Sequence, residues 1–381
     1  MKILAIETSC DDTCAAVLEN DRVLSSVISS QIDLHSRWGG VVPEIAKRAH
    51  EERIGAVIAE ALHKTHPLIP SLEKGGEENF FNRYMSQIEV IAVTKGPGLA
   101  VALGVGIETA KKLAIKYNKK LVAVNHIEGH LMSNFIKNSK GKPDREIVFP
   151  ALNLTASGGH TKIILVNKST PSPSPLRGSK DFDKEGNSIN MQYIVAGETL
   201  DDAAGEALDK AAKLLGMGYP GGPVIERLAA LNAVNSKDWL KLPRPLKNQD
   251  NFDYSFSGLK TSFYYQIRDW PKEKVNKNLY NLAASFQEAV LDTLVMKFRK
   301  AAEYYQPKTL LATGGVMANM ALRKKLRKMA RELGLPIFMP VKKEWNTDNA
   351  AMIGVAGYYK AIRGEFVEEI EKLDREARLE L

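Results

Sequence analysis

Two imidazoles stand four residues apart at His126 and His130, directly after the apolar run Lys120 to Val124. On a helix, positions i and i+4 share a face, so both rings can reach one metal ion. The same spacing also describes two surface histidines near a helix start, and it differs from the zinc-peptidase pattern H-E-x-x-H. There the acid follows the first His and serves as general base, whereas Glu128 sits one place later, on a different face. The run Asn346-Thr347-Asp348-Asn349-Ala350-Ala351-Met352 reads as a helix start. Asp348 is therefore either an N-cap or the best third ligand. His126, His130 and Asp348 would make a two-His, one-carboxylate triad with open positions, suited to Fe(II) or Zn(II).

Other stretches suit anions and nucleotides. Thr155, Ala156, Ser157, Gly158 and Gly159, followed by His160-Thr161, join two strands with small residues, which lets backbone amides approach an anion; a plain hairpin turn has the same composition. The helix running through Asp209 to Leu215 breaks at Gly216 to Pro223. Asp209 can accept ribose hydroxyls there, and Gly222 lets a sugar or base lie flat on the backbone. Asp201 and Asp202 fit an acidic first turn. Asn319, after Gly314-Gly315, either offers its amide to a nucleobase edge or caps a helix.

These residues need a frame. Lys2 to Glu7 reads as a buried strand, Thr8 to Thr13 as a turn, Cys14 to Leu18 and Val23 to Ile28 as further strands. A similar strand, turn, strand unit recurs at Ala151 to Val166, which suggests an internal duplication, one copy opening each lobe. Val90 to Val93 with a helix over Leu99 to Ile115, and Thr309 to Ala312 with a helix over Met317 to Leu333, are strand, glycine turn, helix units that aim N–H groups at phosphate. Gly104 and Gly106 cost helix stability unless something packs closely on them. Two insertions, His66 to Gln87 and Lys168 to Asn190, are expected at the surface, and 350–381 is expected to be helical.

The chain has 381 residues, which fits two lobes: 1–130 with 350–381, and 131–349. Its 44% apolar and 26% charged residues exclude disordered and fibrous classes. A net charge of +8 favours a polyanionic partner, with Lys111-Lys112, Lys119-Lys120 and Arg323 to Lys328 as basic clusters. Only Cys10 and Cys14 occur, pointing to a reducing, cytoplasmic setting. No apolar run approaches a membrane span, and the start Met1 to Glu7 is too short for a signal-peptide core.

The motifs together resemble one family, the threonylcarbamoyl transferases of tRNA, called TsaD in bacteria and once described as O-sialoglycoprotein endopeptidases. The resemblance rests on Ile6-Glu7-Thr8-Ser9-Cys10-Asp11, Gly96-Pro97-Gly98-Leu99, His126 to His130, Ser157 to Thr161, and Asp201 to Glu206. Tyr219 to Pro223, Phe256 to Thr261, Gly314-Gly315-Val316 with Asn319, and Thr347 to Met352 complete it, in the family's order from end to end. It implies an α/β, two-lobed fold of the actin, Hsp70 and sugar-kinase type (ASKHA), with duplicated βββαβα lobes and a nucleotide in the central cleft. It implies that His126, His130 and Asp348 hold one metal, usually iron, and that Thr155 to Gly159, Asp209, Gly222 and Asn319 bind threonylcarbamoyl-AMP. The group would pass to N6 of adenine 37 in tRNAs reading codons that begin with A, releasing AMP. Implied partners are tRNA, a TsaB-like paralogous subunit and a TsaE-like ATPase. Asp12 departs from the family's usual Glu, and the two insertions exceed the usual bacterial length; His160 is similar to the bacterial and organellar branch.

The donor is already an activated anhydride, so positioning and charge stabilisation suffice and no covalent nucleophile is required. Asp11 is the expected residue to orient the adenine amine or accept its proton. Competing readings are a metallopeptidase built on the His pair, a non-catalytic scaffold of the same fold, and a sugar kinase or chaperone ATPase.

Overall fold

A computed structural model describes residues 1–65, 76–169, 190–231 and 238–381. The strand Lys2–Glu7 (β1) carries four consecutive buried apolar residues, Ile3 to Ile6. Such a run fits a strand covered on both faces, and alternation decides which face each residue serves. Ile3 and Ala5 join one apolar cluster, Leu4 and Ile6 the other.

The strands Asp12–Glu19 (β2), Arg22–Ser30 (β3), Val90–Gly96 (β4) and Lys120–Asn125 (β5) complete a first sheet of order β3-β2-β1-β4-β5. β1, β2 and β3 form an antiparallel meander, and β4 and β5 run parallel to β1. The second sheet uses Ala151–Ala156 (β6), Thr161–Ser169 (β7), Asn190–Glu198 (β8), Thr309–Thr313 (β9) and Ile337–Phe338 (β10), in order β10-β9-β6-β7-β8. Its pairings repeat those of the first, antiparallel for β6-β7-β8 and parallel for β6-β9-β10. The duplication expected from the two hairpin motifs is thus a duplication of the whole sheet order. This is the two-lobed actin, Hsp70 and sugar-kinase architecture.

The helices Pro43–His63 and Ala100–Lys116 cover one face of the first sheet; Ala350–Ile362 covers the other. In the second sheet Leu152 and Leu154 face a core built with helices Ala204–Leu214, Leu279–Tyr305 and Met320–Glu332. The opposite residues, Ala151 and Leu311, pack into the same cluster as Ile3 and Ala5. One shared core therefore lies between the sheets, with Ala350–Ile362 inside it. Gly106 answers the question its position raised: a Cβ there would lie 2.4 Å from Thr8 Oγ1, so the Ala100–Lys116 helix needs hydrogen at that point. Gly104 is likewise closed in, against the Arg375 guanidinium.

Three expectations are corrected. The final helix stops at Ile362, not at the C-terminus: Gly364 turns the chain at φ +78°, and the segment beyond pairs its backbone with the first lobe instead. Val367 N donates to Leu121 O, Glu376 N to Lys95 O, and Ala377 O accepts from Gly98 N. The helix expected from Met317 begins at Met320, after a 3-10 turn over Gly315–Ala318. Of the first insertion, expected at the surface, residues 76–85 form a helix whose Tyr84 and Met85 are buried in the first lobe's core, while residues 66–75 and residues 170–189 of the second lie outside the described residues.

Candidate functional site

β5 ends at Asn125, whose side-chain oxygen accepts from Ile127 N at 2.8 Å and caps the helix His126–Met132. The whole helix is buried, which removes the surface-histidine reading. His126 and His130 meet edge to face with ring centroids 4.6 Å apart. Gly129, between them, lets this helix approach Ala350–Ile362, since a Cβ would come within 2.7 Å of Ile353 Cδ1. That approach brings up Asp348, one residue before the cap. The cap of Ala350–Ile362 is Asn349, which accepts from Met352 N at 3.0 Å, so the Asp348 carboxylate is not spent on capping.

Asp348 Oδ1 lies 3.2 Å from His130 Nε2 and 3.6 Å from His126 Nε2. Donor atoms about 2.1 Å from a common ion stand about 3.0–3.4 Å apart, so this spacing suits one metal. Both ring nitrogens of His130 are buried without a hydrogen-bond partner, because the 3.2 Å approach to Asp348 is not aligned as one. A buried imidazole left this way is costly unless something else engages it. The three donors form one cluster, fit for a single metal ion.

Behind the cluster, His126 Nδ1 faces Glu7 Oε2 at 3.2 Å and Ser9 Oγ at 3.1 Å. Glu7 is fully buried; it also accepts from Ser9 N and from the Thr94 hydroxyl. A carboxylate at Nδ1 places the proton there and turns Nε2 toward the ligand position. Burial alone would lower His126, but Asp348 and Glu7 outweigh it and raise it to about 9. Asp348 is desolvated, yet His126 and His130 hold its carboxyl well below the usual range. Burial lowers His130.

The cleft beside the cluster has a volume of about 710 Å³ and lies between the β1–β2 tip and the β6–β7 tip. From the first tip come Ser9, Asp11 and Asp12; from the second come Ser157, Gly158 and Gly159. Burial raises Asp11. Asp12 opens β2 and keeps its buried Oδ1 without a partner; burial, with Asp11, Asp348 and Glu7 nearby, pushes it up to about 7. Glu7, Asp11, Asp12 and Asp348 thus crowd one region with mutually repelling charge, which a cation in the cluster would offset.

The opposite wall is built around helix Ala204–Leu214. Gly205 N donates to Ser157 O, and a Cβ on Gly205 would sit 2.6 Å from that oxygen, so the helix start is pressed against the Ser157-Gly158 turn. Gly158 and Gly159 face open space. Asp209 lines the cleft, its Oδ1 accepting from Gly221 N at 2.7 Å and Gly222 N at 3.1 Å; burial raises its pKa against those bonds. Thr155 and Ala156 are buried inside β6, behind the turn. Asn319 is also buried: it caps Met320–Glu332 by accepting from Leu322 N and donates to Gln287 Oε1 at 2.7 Å. The cleft lining thus includes Ser157, Gly158, Gly159 and Asp209, with Gly222 bonded to Asp209 and Thr155, Ala156 and Asn319 set behind.

Asp201 and Asp202 lie before the helix Ala204–Leu214 and not in its first turn. Asp201 accepts from Ser255 and Ser257 hydroxyls, and Asp202 from Lys210 and Lys260. Glu128 points out of the cleft, accepting from Tyr193 OH at 3.1 Å with Lys360 3.9 Å away, so it is not placed as a general base for a metallopeptidase. Two residues were missed as site residues. Glu7 and Ser9 could have been suspected, because a carboxylate closing a fully apolar strand needs a partner.

A family model described as TsaD, tRNA N6-adenosine threonylcarbamoyltransferase, matches residues 22–171 and 184–355. The chain belongs to the TsaD family. Among relatives, the tRNA N6-adenosine threonylcarbamoyltransferase of Kosmotoga olearia is 43% identical over 96% of this chain and 95% of that protein. That of Thermosipho africanus is 41% identical over 94% of each. The crystal structure of HypF from T. kodakarensis superposes with a TM-score of 0.54 at 15% identity, over 97% of this chain and 49% of that one. With TsaD membership, the chain is a transferase of tRNA modification.

Proposed function

We propose that this protein transfers the threonylcarbamoyl group of threonylcarbamoyl-AMP to N6 of adenine 37 in tRNAs that read codons beginning with A. The observation that carries the reading is the meeting of the His126, His130 and Asp348 cluster with the Ser157 to Gly159 turn across one cleft, in a chain of the TsaD family.

The Gly158 and Gly159 amides suit the donor's phosphate, Ser157 N being bonded to His160 O, and Asp209 beside Gly221 and Gly222 suits its ribose, with Thr155, Ala156 and Asn319 supporting that wall. His126, His130 and Asp348 would hold one divalent ion, most suitably Fe(II), with Zn(II) also compatible with the donor set. When bound, the ion supplies Lewis-acid stabilisation of charge on the leaving phosphate. The adenine amine forms the new C–N bond at the carbamoyl carbon, the bond from that carbon to the phosphate oxygen breaks, and AMP leaves with the electron pair. Asp11, at the cleft wall opposite the turn, orients the amine and accepts its proton. A TsaB-like subunit, a TsaE-like ATPase and a cytoplasmic setting accompany this reading, as do lobes divided at 1–130 with 350–381 and 131–349.

The test is a reconstitution of the full chain with unmodified tRNA, threonine, bicarbonate, ATP, the adenylate-forming enzyme and the two partner subunits, read by mass spectrometry of nucleosides. N6-threonylcarbamoyladenosine at position 37 is the expected product. Its absence, with glycoprotein cleaved instead, would restore the peptidase reading. Asp11→Asn is expected to cut transfer on the order of 100-fold or more with metal content unchanged; unaltered turnover would remove Asp11 from the mechanism.

A further inference from the structure

A groove of about 340 Å³ adjoins the cleft and shares Lys210 and Lys213 with it. Its other walls are Leu214, Lys260, Thr261, Tyr264 and Tyr265, and among the described residues no carboxylate lines it. The two rings lie on the helix Ser257–Ile267, 45% and 57% exposed, with centroids 5.6 Å apart. The Arg268 guanidinium lies 4.8 Å from the Tyr265 ring centroid, and Leu214 adds an exposed apolar side chain; a patch this exposed calls for an occupant. The ammoniums differ in their commitments. Lys210 and Lys260 both bond Asp202, whereas Lys213 has no ion pair among the described residues and reaches across the cleft mouth, its Nζ against Gly39 of the first lobe. The mouth of the cleft therefore joins a cation without an ion pair among the described residues, Lys213, to an aromatic groove on the second lobe.

We propose that this mouth, with Lys213, Tyr264 and Tyr265 along its rim, is the surface that holds the single-stranded loop of the RNA substrate. The inference rests on the tRNA transferase reading and adds where the RNA sits. An adenine can present its amine to the cleft only when unstacked, and it brings its neighbours with it along the backbone. Those neighbours must land on the rim. Single-stranded RNA is held by aromatic faces that stack bases and by cations that follow the phosphates, which is the chemistry of this rim. The groove's continuity with the cleft separates it from the basic helix face at Arg323 to Lys328, which is outside the cleft lining.

The test uses the reconstituted transfer reaction with the full chain, tRNA and the donor, comparing Tyr264→Ala/Tyr265→Ala with Tyr264→Phe/Tyr265→Phe, and Lys213→Ala separately. The Ala pair is expected to raise the KM for tRNA about tenfold or more while the KM for the donor stays put, and the Phe pair, which keeps both stacking faces, to restore it. Lys213→Ala is expected to flatten the slope of log(kcat/KM) against log salt by about 0.7–1. An unchanged tRNA KM in the Ala pair overturns the proposal, as does equal loss in the Ala and Phe pairs. An unchanged tRNA KM combined with lost association of a partner subunit assigns the face to a protein and also overturns it. A wild-type chain that modifies no tRNA takes down the transferase reading itself, a distinct result.

Discussion

Glu7 shows how a residue outside the ligand set governs it. Its carboxylate is buried among Ser9, Thr94 and His126, and it reaches the ring nitrogen that faces away from the metal position. Glu7→Gln keeps the shape but presents an amide that can no longer act as a charged acceptor for Nδ1–H. Metal affinity is expected to fall about 10–100-fold, as for other partners of ligating histidines. Competition against a chromophoric chelator measures this, and unchanged affinity would show that Glu7 serves folding alone. At this scale the sequence picked out the three cluster residues and concealed their orientation. The i, i+4 spacing of His126 and His130 is local, and Asp348 was legible only as either an N-cap or a third ligand until Asn349 proved to be the cap. Glu7 lies 119 residues from His126, and nothing local in sequence reports such a pairing.

Between elements, the most informative contact is the start of Ala204–Leu214 against the Ser157-Gly158 turn. Gly205→Ala would drive a methyl group into backbone at 2.6 Å, where no side chain can rotate away. The turn must shift, so the KM for the acyl-adenylate is expected to rise about tenfold, the metal equivalents remaining unchanged; a donor KM equal to that of the parent would show the turn is not the cradle. The second lobe also contains a titrating clamp. Asp292, on Leu279–Tyr305, accepts from Lys325 and from Arg244. Burial raises its carboxyl, but those two cations more than reverse this and hold it below 3.8. A depressed carboxyl stabilises the fold above its unfolded value and loses that contribution as pH falls through the folded one. Asp292→Asn is therefore expected to lower stability at pH 7 by roughly 0.5–1 kcal/mol, after allowance for solvent screening, with a smaller difference from the parent at an acid pH below the ordinary carboxylate range. Thermal melts at both pH values decide it, and a difference that persists undiminished in acid would contradict the clamp. Elements with strong periodicity, such as β1 and Ala100–Lys116, were legible in sequence. The tail after Gly364 was not: its charged residues mimic a helix face, while its backbone bonds go to Leu121, Lys95 and Gly98.

Over the whole molecule, two sheets of the same order set two hairpin tips face to face, and the chemistry gathers where they meet. The repeated tip motifs made that duplication visible in the sequence, because small and polar residues between apolar strands leave a distinctive pattern. The cleft rim was not visible: Lys213 and Tyr265 are unremarkable in their own segments and come together only when their helices pack side by side. No helix among the described residues is long and apolar enough to cross a membrane. The claim on which the account turns is that one ion, held by His126, His130 and Asp348, is required for acyl transfer. Its direct test is to strip the chain of metal, add Fe(II) back anaerobically in measured steps, and quantify N6-threonylcarbamoyladenosine in tRNA at each step. The account predicts a stripped chain without transfer and a rise that breaks at one equivalent per chain. Full transfer by the stripped chain, or a break at two equivalents, would contradict it.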